Sequence, residues 1–180
     1  MNLILRMIKV LVAALFGQRL GVLDSSILTF RVWPNDLDIN LHMNNGRYLT
    51  IMDLGRADLM IRCGLGKVIL KRRWMPVLGA VTIQYRRSLS PFQGFRLRTR
   101  ILCWDEKWVF LEHRVESLDG QVAAVAIAKG LLRSPAGLVT PAAMLRALGL
   151  NLPSPPIPLS VSAWVSASES LFDYRASISY

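Results

Sequence analysis

The sequence predicts an α+β fold in which one antiparallel β-sheet wraps around a single long central helix. Three observations predict it: one strand precedes the helix, the helix has a continuous apolar stripe, and four alternating segments follow it. The chain has 180 residues, which suits one domain with a sizeable core. Because a lone helix must bury its stripe against another layer, we expect the five strands to form one sheet that packs on it.

The central helix is predicted from Asn45 to about Cys63. Its apolar stripe repeats at helical spacing and comprises Tyr48, Met52, Gly55 and Leu59. Asn44 or Asn45 can accept a hydrogen bond from the first free amides as the N-cap, and Gly64 can end the helix. The helix therefore starts directly after a polar loop.

The strands are predicted from the alternation of apolar and polar residues. The first is Ser26–Trp33, which Pro34 ends. The four later segments are Leu78–Arg87, Phe95–Trp104, Trp108–Ser117 and Gln121–Arg133. Short turns join them, and Asp119-Gly120 is the strongest hairpin signal in the chain. We therefore expect consecutive antiparallel strands after the helix.

Two flanking regions bound this domain, which we place at residues 23–135. Residues 1–22 are apolar and basic, and their apolar run is too short to span a bilayer. We expect a retained helix there that packs on the domain or touches a membrane, the alternative being a cleaved or anchoring segment. The expected inward face of this helix comprises Leu3, Met7, Val10 and Ala14. In residues 136–180 we expect a helix and a Pro/Ser-rich tail, with residues 151–170 wrapping the surface.

The composition narrows the classes of function. Hydrophobic residues make up 52% of the chain, which favours a surface buried against a partner or a membrane, most simply against a second copy. Cys63 and Cys103 form no disulfide framework or zinc motif, and we expect both in the core. The net charge of +10 fits nucleic acid, an anionic membrane or a phosphate-bearing substrate. No nucleic-acid motif accompanies the basic residues, so nucleic acid is not an expected partner.

The most specific pattern is the run Asp38-Ile39-Asn40-Leu41-His42-Met43-Asn44-Asn45-Gly46-Arg47-Tyr48, which leads directly into the central helix. It resembles the active-site region of the hotdog-fold thioesterases, among them the plant acyl carrier protein thioesterases, 4-hydroxybenzoyl-CoA thioesterase and proteins with an HMNNGRY run. The resemblance extends to the strand segment Val81–Arg87. It implies a hotdog fold, and thioester hydrolysis as the activity.

The resemblance also implies roles for individual residues. Asp38 matches the catalytic aspartate, as general base or as nucleophile forming a mixed anhydride. Asn40 could hold the water or carboxylate, and His42 could orient or protonate. The amides at the helix start near Asn45 and Gly46 could polarise the thioester carbonyl. The residues expected to bind substrate are Asn44, Asn45, Gly46, Tyr48, Arg86 and Arg87. Strand alternation predicts that these two arginines point to opposite faces, so that one could meet a nucleotide phosphate.

Two positions depart from the family pattern. Leu41 stands where many bacterial members have glycine, and Ser88 stands where the plant enzymes have an acidic residue after the two arginines. The second departure favours a rival hypothesis, a hotdog protein that binds acyl chains or acyl thioesters without turnover. Dehydration of a hydroxyacyl thioester is a third use of the same fold.

Substrate, assembly and location follow as expectations. The substrate is an acyl-CoA ester, or less favourably an acyl carrier protein ester, and no metal or cofactor is implied. A homodimer or dimer of dimers would pair the edges of two sheets, and by resemblance it would bring the Asp38 loop against the partner subunit. We expect a cytoplasmic protein, with membrane association through the N-terminal segment as the open alternative.

Overall fold

A computed structural model describes the backbone of residues 3–177 and the side chains of residues 3–168 and 170. The elements in chain order are α1 (Leu3–Phe16), β1 (Ser26–Arg31), α2 (Asn45–Arg62), α3 (Leu65–Arg72), β2 (Met75–Tyr85), β3 (Gly94–Trp104), β4 (Val109–Ser117), β5 (Val122–Ser134), β6 (Gly137–Val139), α4 (Pro141–Ala147) and α5 (Leu159–Ser177). Among these helices, none is both long and apolar enough to cross a bilayer.

The strands form one antiparallel sheet, as predicted. Its order is β1-β3-β4-β5-β2, with the short β6 paired to the end of β5. The strands β3, β4 and β5 are consecutive hairpin neighbours, whereas β1 and β2 are the two edges. The prediction of an α+β fold with one sheet around one helix is confirmed.

Helix α2 packs across this sheet along its predicted stripe. All four stripe residues are buried, and Tyr48 and Met52 share a core cluster with Ala124 and Ala126 of β5. Gly55 marks the closest approach, because a methyl group there would overlap the Thr99 hydroxyl of β3. Small residues on both layers therefore let the helix lie directly on the sheet.

Two segments differ from the sequence expectations. Helix α3 was not predicted; the basic residues Lys71 and Arg72 lie in its last turn, and Arg73 is its C-cap. The expected tail at residues 151–170 is extended only to Pro158, and α5 begins at Leu159. Serine favours loops in sequence patterns, but in α5 serine hydroxyls donate to carbonyls three or four residues earlier, as Ser168 does to Trp164 at 2.7 Å. This bonding makes a Ser-rich helix compatible with its sequence.

Helix α1 exists over most of the expected segment, but its inward face differs from the expected one. It buries Arg6, Val10 and Ala14, whereas Met7 is exposed. The spacing of apolar residues predicted Met7 on the inward face. That spacing could not show that Arg6 has a buried partner, the Asp36 carboxylate, in the loop between β1 and α2. The charged residue is therefore inside and the apolar residue is outside.

A polar group, His113 of β4, lies inside the sheet–helix layer and is fully buried. Its Nε2 lies 3.0 Å from an Arg56 nitrogen, and its Nδ1 lies 3.0 Å from the Thr99 hydroxyl. Because guanidinium only donates, Nε2 must accept and Nδ1 holds the proton. Burial, and then the charge of Arg56, lower the pKa of His113 to about 3, so the ring is neutral in the folded protein.

The neutral His113 predicts a loss of stability in mild acid. In the unfolded chain the imidazole regains a pKa near 6.5 and binds a proton that the folded protein excludes. The free energy of unfolding should therefore fall as the pH drops from about 6.5 towards 3, by roughly 2–3 kcal/mol at pH 4.5. Urea denaturation across this pH range would measure it. The variant His113→Gln should lose that part of the slope, and an unchanged slope would contradict the assignment.

Candidate active site

The loop between β1 and α2 is a compact, hydrogen-bonded turn. After a 3-10 turn at Pro34–Asp36, Leu37 and Met43 form an isolated antiparallel bridge. Inside this bridge the amide of Asp38 donates to the carbonyl of His42 at 2.9 Å. Leu41 closes the turn with a φ of 57°, a left-handed conformation that glycine adopts at lower cost. The loop therefore fixes the direction of the Asp38 side chain.

The Asp38 carboxylate is held by the backbone of its own loop. Its Oδ1 accepts from the amide of Asn40 at 2.8 Å and from the amide of His42 at 3.3 Å. The second oxygen, Oδ2, accepts none of the hydrogen bonds found among the described residues. One oxygen thus anchors the group while the other stays available for a water or a substrate.

A cavity of about 280 Å³ opens beside this carboxylate. Its lining is Asp38, His42, Met43, Asn45, Tyr48, Tyr85, Arg86, Arg87 and Ser88. Six of the nine residues named from the sequence therefore line one cavity. They are the expected base or nucleophile Asp38, its neighbour His42, and four residues expected to bind substrate: Asn45, Tyr48, Arg86 and Arg87. Asp38 is the one acidic residue in this lining, and Arg86 and Arg87 line the same cavity.

The other three candidate residues lie outside the cavity. The side chain of Asn40 is exposed, and its backbone amide bonds Asp38. Asn44 is the N-cap of α2, since its Oδ1 accepts from the amide of Gly46 at 2.8 Å. The Gly46 amide is therefore occupied within the helix cap. Asn45, the first residue of α2, lines the cavity.

Two tyrosines join the helix start to the end of β2. The Tyr85 hydroxyl donates to the carbonyl of Asn45 at 2.9 Å, and the Tyr48 and Tyr85 rings meet edge to face with centroids 5.3 Å apart. Burial raises the pKa of Tyr48 to about 12, so its hydroxyl stays protonated. Tyr48 was expected to bind substrate, and Tyr85 was noted only as part of the similar strand segment.

Arg86 and Arg87 do not point to opposite faces, and that prediction was wrong. Strand β2 ends at Tyr85, and the amides of both arginines donate to the same carbonyl of Ala123, at 2.8 and 3.1 Å. Two successive residues bonded to one carbonyl break the alternation of the strand. Both side chains consequently border the one cavity.

Asp36 is a structural residue of the site that the sequence did not reveal. Its carboxylate is buried, and Arg6 of α1 binds both of its oxygens, at 2.5 and 3.2 Å. Oδ2 also accepts from the amide of Trp33 at 2.9 Å, and the Asp36 carbonyl accepts from the amide of Asn44 at 2.8 Å. Asp36 thus connects α1, the end of β1 and the N-cap of α2.

A second, apolar cavity of about 230 Å³ lies further along α2 and β2. Leu59, Met60 and Cys63 line it from the helix, and Val77 and Leu78 line it from the strand. The first α2 residue that lines this apolar cavity is Asp53. It lies eight residues beyond Asn45 of the first cavity, or about 12 Å along the helix at 1.5 Å per residue. The two cavities therefore follow the same boundary between helix and edge strand.

No group of three or more His, Cys, Asp or Glu side chains within the described residues could hold a metal ion. The chemistry that this region offers is thus that of a carboxylate, an imidazole, two guanidiniums and a helix N-terminus.

Comparison with known proteins identifies the family of this chain. Residues 32–165 match the thioesterase-like superfamily. The chain belongs to this superfamily. The matched range contains the site loop, α2 and the whole sheet except β1, so the resemblance found in the sequence is confirmed.

Individual relatives place the match more closely. Protein THEM6 of Danio rerio is 43% identical over 109 residues, which are 60% of this chain and 54% of that protein. The probable thioesterase YBR096W of Saccharomyces cerevisiae is 27% identical over 120 residues, covering 65% and 52%. This chain spans only about half to three fifths of the length of the THEM6 proteins that it matches.

A solved structure, the probable thioesterase YbaW of Escherichia coli, superimposes with a TM-score of 0.62 at 19% identity. The superposition covers 68% of this chain and 97% of the YbaW chain. At this identity the likeness concerns the fold, and it confirms the predicted hotdog architecture.

Breaking the buried ion pair should destabilise the protein strongly. Arg6→Met removes the cation that binds both Asp36 oxygens and leaves only Arg47, whose Nε lies 3.9 Å from Oδ1. This should cost about 3 kcal/mol of unfolding free energy. In the double variant Arg6→Met/Asp36→Asn both charges are gone while an acceptor for Trp33 remains, so most of the loss should be recovered. Guanidinium denaturation would measure both.

The matched control is Arg100→Met, which removes a more exposed pair with Glu112. It should cost less than about 1 kcal/mol. If Arg6→Met cost no more than Arg100→Met, Asp36 would not organise the loop as described.

Proposed function

We propose that this chain hydrolyses acyl-CoA thioesters to the free acid and coenzyme A in the cavity beside Asp38. The observation that supports it most is the isolation of this carboxylate in the cavity lining, anchored through Oδ1, with Oδ2 free of the loop's hydrogen bonds. A carboxylate held in this way can act on one reacting atom without rearranging the loop.

The chemistry would run through one of two routes. As general base, Asp38 takes a proton from water while the water oxygen attacks the thioester carbonyl. As nucleophile, it attacks the carbonyl itself and the resulting anhydride is then hydrolysed by water. In both routes the C–S bond breaks and the leaving thiolate takes up a proton. In the general-base route Asp38 can return the proton that it took from water. In the anhydride route Asp38 carries the acyl group, so His42 or water supplies the proton.

The negative charge on the carbonyl oxygen needs donors. Asn45 is the first residue of α2 and lines the cavity, so its backbone amide is a candidate donor at the positive end of the α2 dipole. The Gly46 amide, which we had also expected in this role, is engaged by Asn44. We therefore assign the polarising role to Asn45, with Asn40 acting through the loop backbone that orients Asp38.

The carrier and the acyl group would lie on opposite sides of the reacting carbonyl. Arg86 and Arg87 are exposed at the cavity, where they can pair with the phosphates of coenzyme A. The apolar cavity along α2 and β2 offers a place for the acyl chain. Together they favour a coenzyme A ester over a carrier without clustered phosphates.

We further propose that the active form is a homodimer or a dimer of dimers. Strand β2 is an unpaired edge, and two large apolar side chains of the site loop, Ile39 and Leu41, are exposed beside the candidate base. Pairing two such edges would cover apolar surface and remove free strand edges. The cavity would then be completed by the partner subunit.

The role of Asp38 is tested by the variant Asp38→Asn. Asparagine keeps an oxygen that can accept the loop's hydrogen bonds but cannot act as a base, so turnover should fall at least about 100-fold with the fold intact. The control Glu106→Gln removes a carboxylate from an exposed turn and should have no effect. Release of free thiol from an acyl-CoA ester would report turnover.

Two results would contradict this assignment. One is a folded Asp38→Asn protein with turnover within a few-fold of wild type. The other is a wild-type protein that binds acyl-CoA without turnover, which would favour the binding protein that Ser88 suggests.

The charge predicts a salt effect on substrate capture. Coenzyme A carries several phosphate charges and the chain has a net charge of +10, so attraction should act over about the Debye length, near 8 Å at physiological ionic strength. Raising the salt concentration should lower kcat/KM while kcat changes little. Arg86→Ala or Arg87→Ala should weaken this dependence, whereas Arg96→Ala on the outer face of β3 should not. Equal salt dependence in all three variants would assign the basic excess to another role.

A further inference from the structure

The outer face of α1 is apolar. Five residues of the helix, which we call the outward stripe, have side chains that are between 49% and 87% exposed: Leu5, Ile8, Val12, Leu15 and Phe16. At 3.6 residues per turn they lie within an arc of about 100°. A surface helix of a soluble domain normally presents polar residues there, so this stripe requires an apolar or interfacial surrounding.

The helix cannot turn this stripe inward. Its opposite face is fixed by Arg6, whose guanidinium is bonded to the buried Asp36 carboxylate and to the carbonyl of Arg31. Rotation of α1 would remove the cation that binds both oxygens of the buried Asp36 carboxylate. The outward stripe is therefore a permanent feature of the folded chain.

The charges around the stripe have one sign. Residues 3–23 contain Arg6, Lys9 and Arg19 and no acidic residue. A groove of about 400 Å³ between α1 and β1 is also bordered by Lys9 and Arg31, and no acidic side chain lines it. An apolar stripe beside cations complements a surface that is itself apolar beneath a layer of negative charge.

We infer that α1 docks this protein on an anionic phospholipid membrane. The outward stripe enters the boundary between headgroups and acyl chains, with the helix lying parallel to the surface because its other face is held on the domain. Lys9 and Arg31, at the groove, meet the lipid phosphates. The Arg6–Asp36 ion pair joins the docked helix directly to the loop that carries Asp38.

Co-sedimentation of the full chain with phospholipid vesicles tests this inference independently of any turnover. We expect binding to vesicles of equal parts phosphatidylcholine and phosphatidylglycerol, and much weaker binding to phosphatidylcholine alone. The double variant Ile8→Asp/Val12→Asp should lower the partition coefficient at least about tenfold, since two buried apolar side chains are lost. Lys9→Glu should lower it by roughly fivefold or more.

The control is Leu138→Asp, which places the same charge on a comparably exposed apolar residue of β6. It should bind like the wild type, and thermal unfolding would verify that every variant is folded. The inference is overturned by absence of binding to the anionic vesicles, by equal binding to neutral ones, or by an equal loss in Leu138→Asp. It is also overturned if light scattering shows that Ile8→Asp/Val12→Asp only dissociates a dimer while vesicle binding is unchanged.

Discussion

The buried carboxylate of Asp36 is the constraint on which the rest of the site depends. Removing a carboxylate from water is costly unless a cation and hydrogen-bond donors replace the water, and Arg6 and the Trp33 amide do so here. The pairing is imperfect, because Nε of Arg6 is buried without a partner among the described residues. The contacts of Asp36 nevertheless fix α1, the end of β1 and the start of α2 relative to one another.

The groups that we propose to react are few, and they lie on the loop and helix start that this ion pair holds in place. Asp38 is oriented by backbone amides two and four residues later, so its geometry is a property of the loop rather than of neighbouring side chains. The start of α2 is held to β2 by the Tyr85 hydroxyl, and Asn45 lines the same cavity as the two arginines. A proposed thioesterase with this arrangement needs no rearrangement to place a base, an amide donor and two cations around an acyl thioester.

Local periodicity explains why most of the fold was predictable from the sequence. The stripe of α2 and the alternation in β3, β4 and β5 are repeated many times, so each element is specified redundantly. The loop of Asp38 was identifiable because its residues are contiguous. Arg6 and Asp36 were not, since 30 residues separate them and only the fold brings them together. The shared side of Arg86 and Arg87 depends on where β2 ends, and strand ends have weak sequence signals.

The most direct test of the proposed activity is thiol release by the 180-residue chain from acyl-CoA esters of graded chain length, with the same acyl groups on acyl carrier protein for comparison. We expect turnover of the CoA esters, a preference among chain lengths set by the apolar cavity along α2 and β2, and lower kcat/KM for the carrier protein esters. A folded protein that binds these CoA esters and releases no thiol from any of them would contradict the assignment of thioester hydrolysis to this site.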